Sequence, residues 1–195
     1  MRGSEGRKGR GWAGFVEPRL PYILISLLVI ALDRASKAAV LAWLAPRGSI
    51  PVISGLFDLT YVRNPGGVFG MFKDLDEGIR GALFTVVPLA AIILIAAYAR
   101  RIPPAHRAAL LALSLILGGA VGNLVDRLRF GYVIDFLDFF WRDHHWPAFN
   151  AADSAICIGV GLLMLETVTA PHHHDSRAAQ VGATGGPEAN PGDVP

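Results

Sequence analysis

The chain has 195 residues, 52% hydrophobic and 17% charged, with a mean hydropathy of +0.42. That is one domain's length, too apolar for an ordinary soluble globule. A net charge of +2, with no basic block interleaved with aromatics, excludes a nucleic-acid face. Residues 1–19 form a basic extension carrying Arg2, Arg7, Lys8, Arg10 and Arg19. The apolar run behind it raises the possibility of a signal peptide. It outlasts the usual h-region, however, and no Ala-x-Ala-like site closes it, so it reads as a retained first span. Residues 20–32 are only 13 long, so this helix must continue through "DRASKAAVLAW" to reach the other side.

"FDLTYVRN" then alternates apolar and polar residues and turns at Asn64-Pro65-Gly66-Gly67; with "YVIDFLDF" it predicts a small sheet on the membrane surface. Residues 81–99 run 19 long and residues 108–125 run 18 long without a charge, each enough to span hydrocarbon. Pro88 lies inside the first of these, where packed membrane helices tolerate it. A last span covers about residues 151–167, and its lone Cys157 reads as a small buried hydrophobe. Residues 169–195, rich in Gly, Pro and Ala, read as a disordered tail. The tail's three histidines, with His144 and His145, lack ligand spacing and supporting partners, so neither metal nor cofactor is expected. The predicted fold is an all-α polytopic membrane protein. Four transmembrane helices within residues 20–168 carry a small extracytoplasmic β-element.

Arg and Lys precede the first span and flank "RRIPPAHR", which places both segments, and hence both termini, in the cytoplasm. Four alternating spans then bring "LDRASK", "YVRNPGGVFG", "GNLVDRLRFGYVIDF" and "FNAAD" together at the outer face. The inner side holds nothing comparable.

Each polar residue at that end has two readings. Asp33 and Lys37, four apart with the acid first, form a structural ion pair or line a site. At ~1.5 Å per residue Asp33 stands about 17 Å above Tyr22, deep enough to need partners. Asn64 is turn chemistry or a site residue, and Gly66 relaxes the turn or lets a substrate backbone approach. Gly118 and Gly122 mark close helix packing. Asn123 and Arg127 share a face of the third span; Arg127 neutralises acids or meets phosphate headgroups. Asn150 and Asp153 resemble a capping box, which by itself favours a cap for Asp153. The chemical reading of Asp153 gains from Asp135, which topology brings to the same end and which a strand points away from Asp138. Two close carboxylates share a proton, so one activates water while the other polarises a peptide carbonyl. That is aspartic-peptidase chemistry, without metal or covalent intermediate.

"LDRASK", "NPGGVFG", "GGAVGNLVDRLRFGYVIDF" and "FNAADSAI", in this order, resemble the lipoprotein signal peptidase (signal peptidase II) family over about residues 20–168. The resemblance implies a monomeric, multi-pass aspartic endopeptidase of the bacterial inner membrane, its site at the extracytoplasmic face. It would act on diacylated prolipoproteins in contact with membrane lipid, cutting before the lipidated cysteine. It makes Asp135 and Asp153 the catalytic pair and excludes Asp126. Asp33, Lys37, Asn64, Asn123, Arg127 and Asn150 match polar positions lining the family's site. Gly67 and Val68 depart from the family's Asn-x-Gly-Ala-Ala-Phe pattern. Phe136, Phe139, Phe140, Trp141 and Trp146 suit an interfacial belt. Two other classes fit the composition. An ion-coupled transporter would spread acids along a path to both faces; a lipid-binding or assembly subunit would use its acids only to cap and pair.

Overall fold

Helix α1 (Leu20–Ala39) follows a 3-10 turn at Glu17–Arg19 and opens with a proline in its first turn, where no amide donor is needed. The structure, a computed structural model, describes residues 17–67, 72 and 74–169. The signal-peptide question, Val68 and the His-containing tail lie outside the described residues. α1 runs unbroken through Asp33, Arg34 and Lys37 into a π-helical turn, Val40–Leu44. Helix α2 (Glu77–Ala99) is capped by the Asp76 side chain, which accepts the Gly78 and Ile79 N–H groups at 2.8 and 3.2 Å. Helix α3 (Arg107–Phe130) stops at Gly131, whose φ of 78° suits a residue without Cβ. Helix α4 (Ala151–Thr169) completes the bundle. α2, α3 and α4 are long and apolar enough to cross a membrane; α1 carries three charges in its second half.

α3 is the axis of the bundle. Buried residues run along it from Ala109 to Asp126, whereas α2 has none. Glycines permit this closeness. A Cβ on Gly118 would meet Val29 of α1, and one on Gly119 would overlap the Ala152 carbonyl oxygen of α4. Gly119→Leu is therefore expected to lower stability by about 1–3 kcal/mol through overpacking, read as a fall in thermal midpoint of the detergent-solubilised protein. An unchanged midpoint would contradict this close approach. Cys157 corrects its expectation: it is exposed on α4. A helix apolar all round does not reveal its inward face by pattern.

The β-element has four antiparallel strands, β1 (Ile50–Ile53), β2 (Phe57–Asn64), β3 (Val133–Trp141) and β4 (His144–His145), in that spatial order. It stands over the ends where α1 and α3 finish and α2 and α4 begin. Val40 and Leu44 pack beneath it with Ile134 and Phe136. Phe136 is thus a core residue, 7% exposed, and not part of a belt. Phe140 is half-buried and stacks on His145, while Phe139, Trp141 and Trp146 are exposed, joined by Trp43.

Candidate active site

The chain between β3 and α4 folds back on β3 and so delivers α4 to it. The N–H groups of Phe136 and Leu137 donate to the Phe149 carbonyl at 3.0 and 2.9 Å, and the Phe149 N–H returns a bond to Leu137 O at 3.1 Å. Asn150 comes next and is fully buried. Its Nδ2 donates to Asp135 Oδ1 at 2.7 Å and to Ile134 O at 3.2 Å. Its Oδ1 accepts the Asp153 N–H at 3.0 Å, while Asp153 Oδ2 accepts the Asn150 N–H at 3.2 Å. This reciprocal pair is a capping box. Asp153 therefore caps α4 and, through the same residue, stands beside Asp135.

Three amides present nitrogen to the two acids because their oxygens are committed elsewhere. Asn64 Oδ1 accepts the Gly66 N–H at 2.9 Å, leaving Nδ2 to donate to Asp135 Oδ2 at 2.9 Å. Asn123 Oδ1 accepts from Lys37 Nζ at 2.9 Å and Asn150 Nδ2 at 3.1 Å, so its Nδ2 donates to Asp153 Oδ1 at 2.7 Å. Asn150 is the third. Each of the four carboxyl oxygens thus accepts a fixed N–H. Burial lifts Asp135, only 2% exposed, to about 7; the bond from Asn64 opposes the rise and the Asp153 charge adds to it.

Asp33 and Lys37 lie outside this ring and support it. Lys37 Nζ pairs with Asp33 Oδ2 at 3.0 Å and Asp126 Oδ2 at 2.8 Å, and Arg34 Nη2 pairs with the same two acids at 2.9 and 2.6 Å. Asp33 Oδ1 also accepts the Ala152 N–H at 3.2 Å, tying α1 to the start of α4. Asp126 Oδ2 accepts the Ile134 N–H at 3.2 Å, fixing the strand one residue before Asp135. The roles of Arg34 and Asp126 escaped sequence reasoning. The visible clue was a charge count: two acids and two bases at bundle depth need one another.

Asp135 and Asp153 share the wall of a cleft of about 780 Å³ with Asn64, Gly66 and Arg127, a volume typical of a small-molecule or peptide site. Arg80 and Phe84 of α2, with Trp146 and Phe149, complete walls that no motif had marked. Gly66 has a φ of 117°, and a Cβ there would overlap the Phe84 ring. Arg127 lies 5.8 Å over that ring, its Nε buried without a hydrogen-bond partner among the described residues. Among the described residues no three His, Cys, Asp or Glu side chains converge in a way that would hold a metal ion. The buried ring and the half-open Asp153 can hold a water against one proton and one charge.

The family model for signal peptidase (SPase) II matches residues 25–169. The lipoprotein signal peptidase of Moorella thermoacetica is 48% identical over 144 residues, covering 74% of this chain and 90% of the relative. That of Syntrophotalea carbinolica is 45% identical over 143 residues, covering 73% and 88%. A solved bacterial membrane enzyme superposes with a TM-score of 0.68 at 28% identity, over 77% of this chain and 94% of the other. A second such structure gives 0.65 at 27% identity, over 76% and 87%. With the match running from α1 to the end of α4, the chain belongs to the signal peptidase II family.

Proposed function

We propose that this chain is a membrane aspartic endopeptidase that removes signal peptides from diacylglyceryl-modified prolipoproteins, cutting before the lipidated cysteine. Asp135 and Asp153 act as the dyad. The observation that carries the reading is Asn150, which bonds both carboxyls and holds them on one cleft wall. The relatives' activity points the same way.

Asp135, lifted to about 7, holds the proton near neutrality and Asp153 carries the charge. Asp153 takes a proton from water, whose oxygen adds to the scissile carbonyl carbon while Asp135 protonates the carbonyl oxygen. As the carbon–nitrogen bond breaks, Asp153 gives its proton to the leaving amine and Asp135 recovers its own. Arg127 lines the cleft beside the two acids, where its guanidinium can donate to a substrate carbonyl, and Gly66 lets the Phe84 ring close the wall opposite them. α1 serves as the fourth span, with both termini inside and the cleft at the outer face of the bacterial inner membrane. The resemblance to the family implies the monomer as the working unit. The buried charges near the dyad are paired with each other at one end, which speaks against an ion path through the bundle.

The purified enzyme should release the signal peptide from a diacylated prolipoprotein and leave the unlipidated precursor uncut; no release would sink the reading. The rate should fall as pH rises through about 7, because ionising Asp135 leaves two charges and no acid. Below that range it should fall again once Asp153 is protonated and the base is lost. A rate still rising past pH 9 would show that Asp135 is not the proton carrier.

A further inference from the structure

α2 packs on α3 and, among the described residues, hardly touches α1 or α4. Two openings therefore flank it. One, toward α4, is the cleft of the carboxylates. The other lies between α1, α2 and α3 at the opposite end of the bundle, a groove of about 540 Å³.

Its walls are Ile23, Ile93, Ala96, Leu113 and Leu117. The two serines inside have their hydroxyl hydrogens committed to backbone carbonyls. Ser26 Oγ donates to the Ser114 carbonyl at 2.9 Å, and Ser114 Oγ to the Leu110 carbonyl at 2.6 Å. From Leu110 to Leu117 the groove descends about 10 Å at ~1.5 Å per residue, the depth taken by the upper part of an acyl chain. The rim has the opposite character. Arg19 Nη2 donates to the carbonyls of Arg100 and Ile102 at 3.2 and 2.8 Å, which draws two arginines to the mouth. Arg101, just after α2, and Arg107, at the start of α3, are both exposed in or beside the same connection.

An apolar slot closed by guanidinium groups suits an amphiphile with an anionic head. Arginine meets phosphate oxygens in paired hydrogen bonds, and basic pockets between membrane helices hold lipid headgroups. The crowd of cations repels a choline or ethanolamine. We propose that this groove binds one acyl chain of an anionic glycerophospholipid from the leaflet opposite the carboxylate cleft, its phosphate on Arg100. The proposal needs only that the helices span a bilayer, so it stands or falls apart from the peptidase reading.

The test is native mass spectrometry of the full chain in neutral detergent, with phosphatidylglycerol or phosphatidylcholine of matched chains. One phosphatidylglycerol should be retained per protein, with phosphatidylcholine held about fivefold less well. Arg100→Gln, an exposed change that leaves the groove intact, should erase that preference. Ala96→Trp should fill the slot and release both lipids, with circular dichroism confirming the fold. Equal retention of the two lipids by the unaltered protein overturns the proposal. So does a preference that survives Arg100→Gln, or retention that survives Ala96→Trp in the folded protein.

Discussion

Asp135→Asn and Asp153→Asn should each slow signal-peptide release by roughly a thousandfold, the usual scale for losing a positioned acid or base, while the protein stays folded. Asn at 135 keeps the shape but has no proton for the carbonyl oxygen, and its single oxygen can accept from Asn64 or from Asn150 but not from both as the carboxyl does. Asn at 153 cannot take a proton from water. Its carbonyl can still meet Asn123 or the Asn150 N–H, so the cap on α4 is weakened rather than lost. Asp135→Asn should cost about 1–3 kcal/mol at most, because one of its two amide donors loses its acceptor while burial already disfavours the charge that the amide removes. The double variant should be no slower than the worse single one, as expected of groups that act as a unit. Release within tenfold of the unaltered rate by either single variant would dismiss the dyad.

The helices were readable because runs of charge-free residues near 20 have one stable form in lipid. α1 was readable only by necessity, since its apolar part is too short to cross. β1 and β4 were not. Pro51 sits in β1, all four β1 residues are exposed, and β4 is two residues whose partners lie on β3. The aromatic-belt reading also failed at Phe136. Residues 133–136 are all buried, because the amides and Asp126 cover one face of β3 while Val40 and Leu44 pack against the strand from below. A period-2 pattern carries information only where one face meets solvent. Asp153 shows why a cap and a site need not compete. The capping box uses Asp153 Oδ2 and Asn150 Oδ1, which leaves Asp153 Oδ1 for the Asn123 amide and Asn150 Nδ2 for Asp135. Arg34 was passed over because its partner Asp126 lies on another helix, and only the three-dimensional fold pairs them.

The buried charge cluster should respond more strongly in stability than any other part of the molecule. Asp33, Asp126 and Lys37 are each at most 1% exposed, and with Arg34 they balance to zero. Lys37→Met leaves two acids facing one arginine, an uncompensated buried charge that should cost about 3–5 kcal/mol. It also removes one of the two donors that hold Asn123 Oδ1, leaving Asn150 Nδ2 alone to fix the amide that donates to Asp153; the folded remainder should cleave less well. Asp126→Asn unbalances the cluster in the other direction by a similar amount but retains an oxygen for the Ile134 N–H. It does not touch Asn123, so its folded fraction should cleave within tenfold of the unaltered rate. Joining the two changes restores neutrality, with Asp33 and Arg34 still paired. The double variant should then lose clearly less stability than the two single losses added together. Thermal unfolding of the four proteins in one detergent measures this directly. Simple additivity would mean that Lys37 and Asp126 do not compensate each other, and the cluster could not be what holds Asn123 in the orientation the dyad requires.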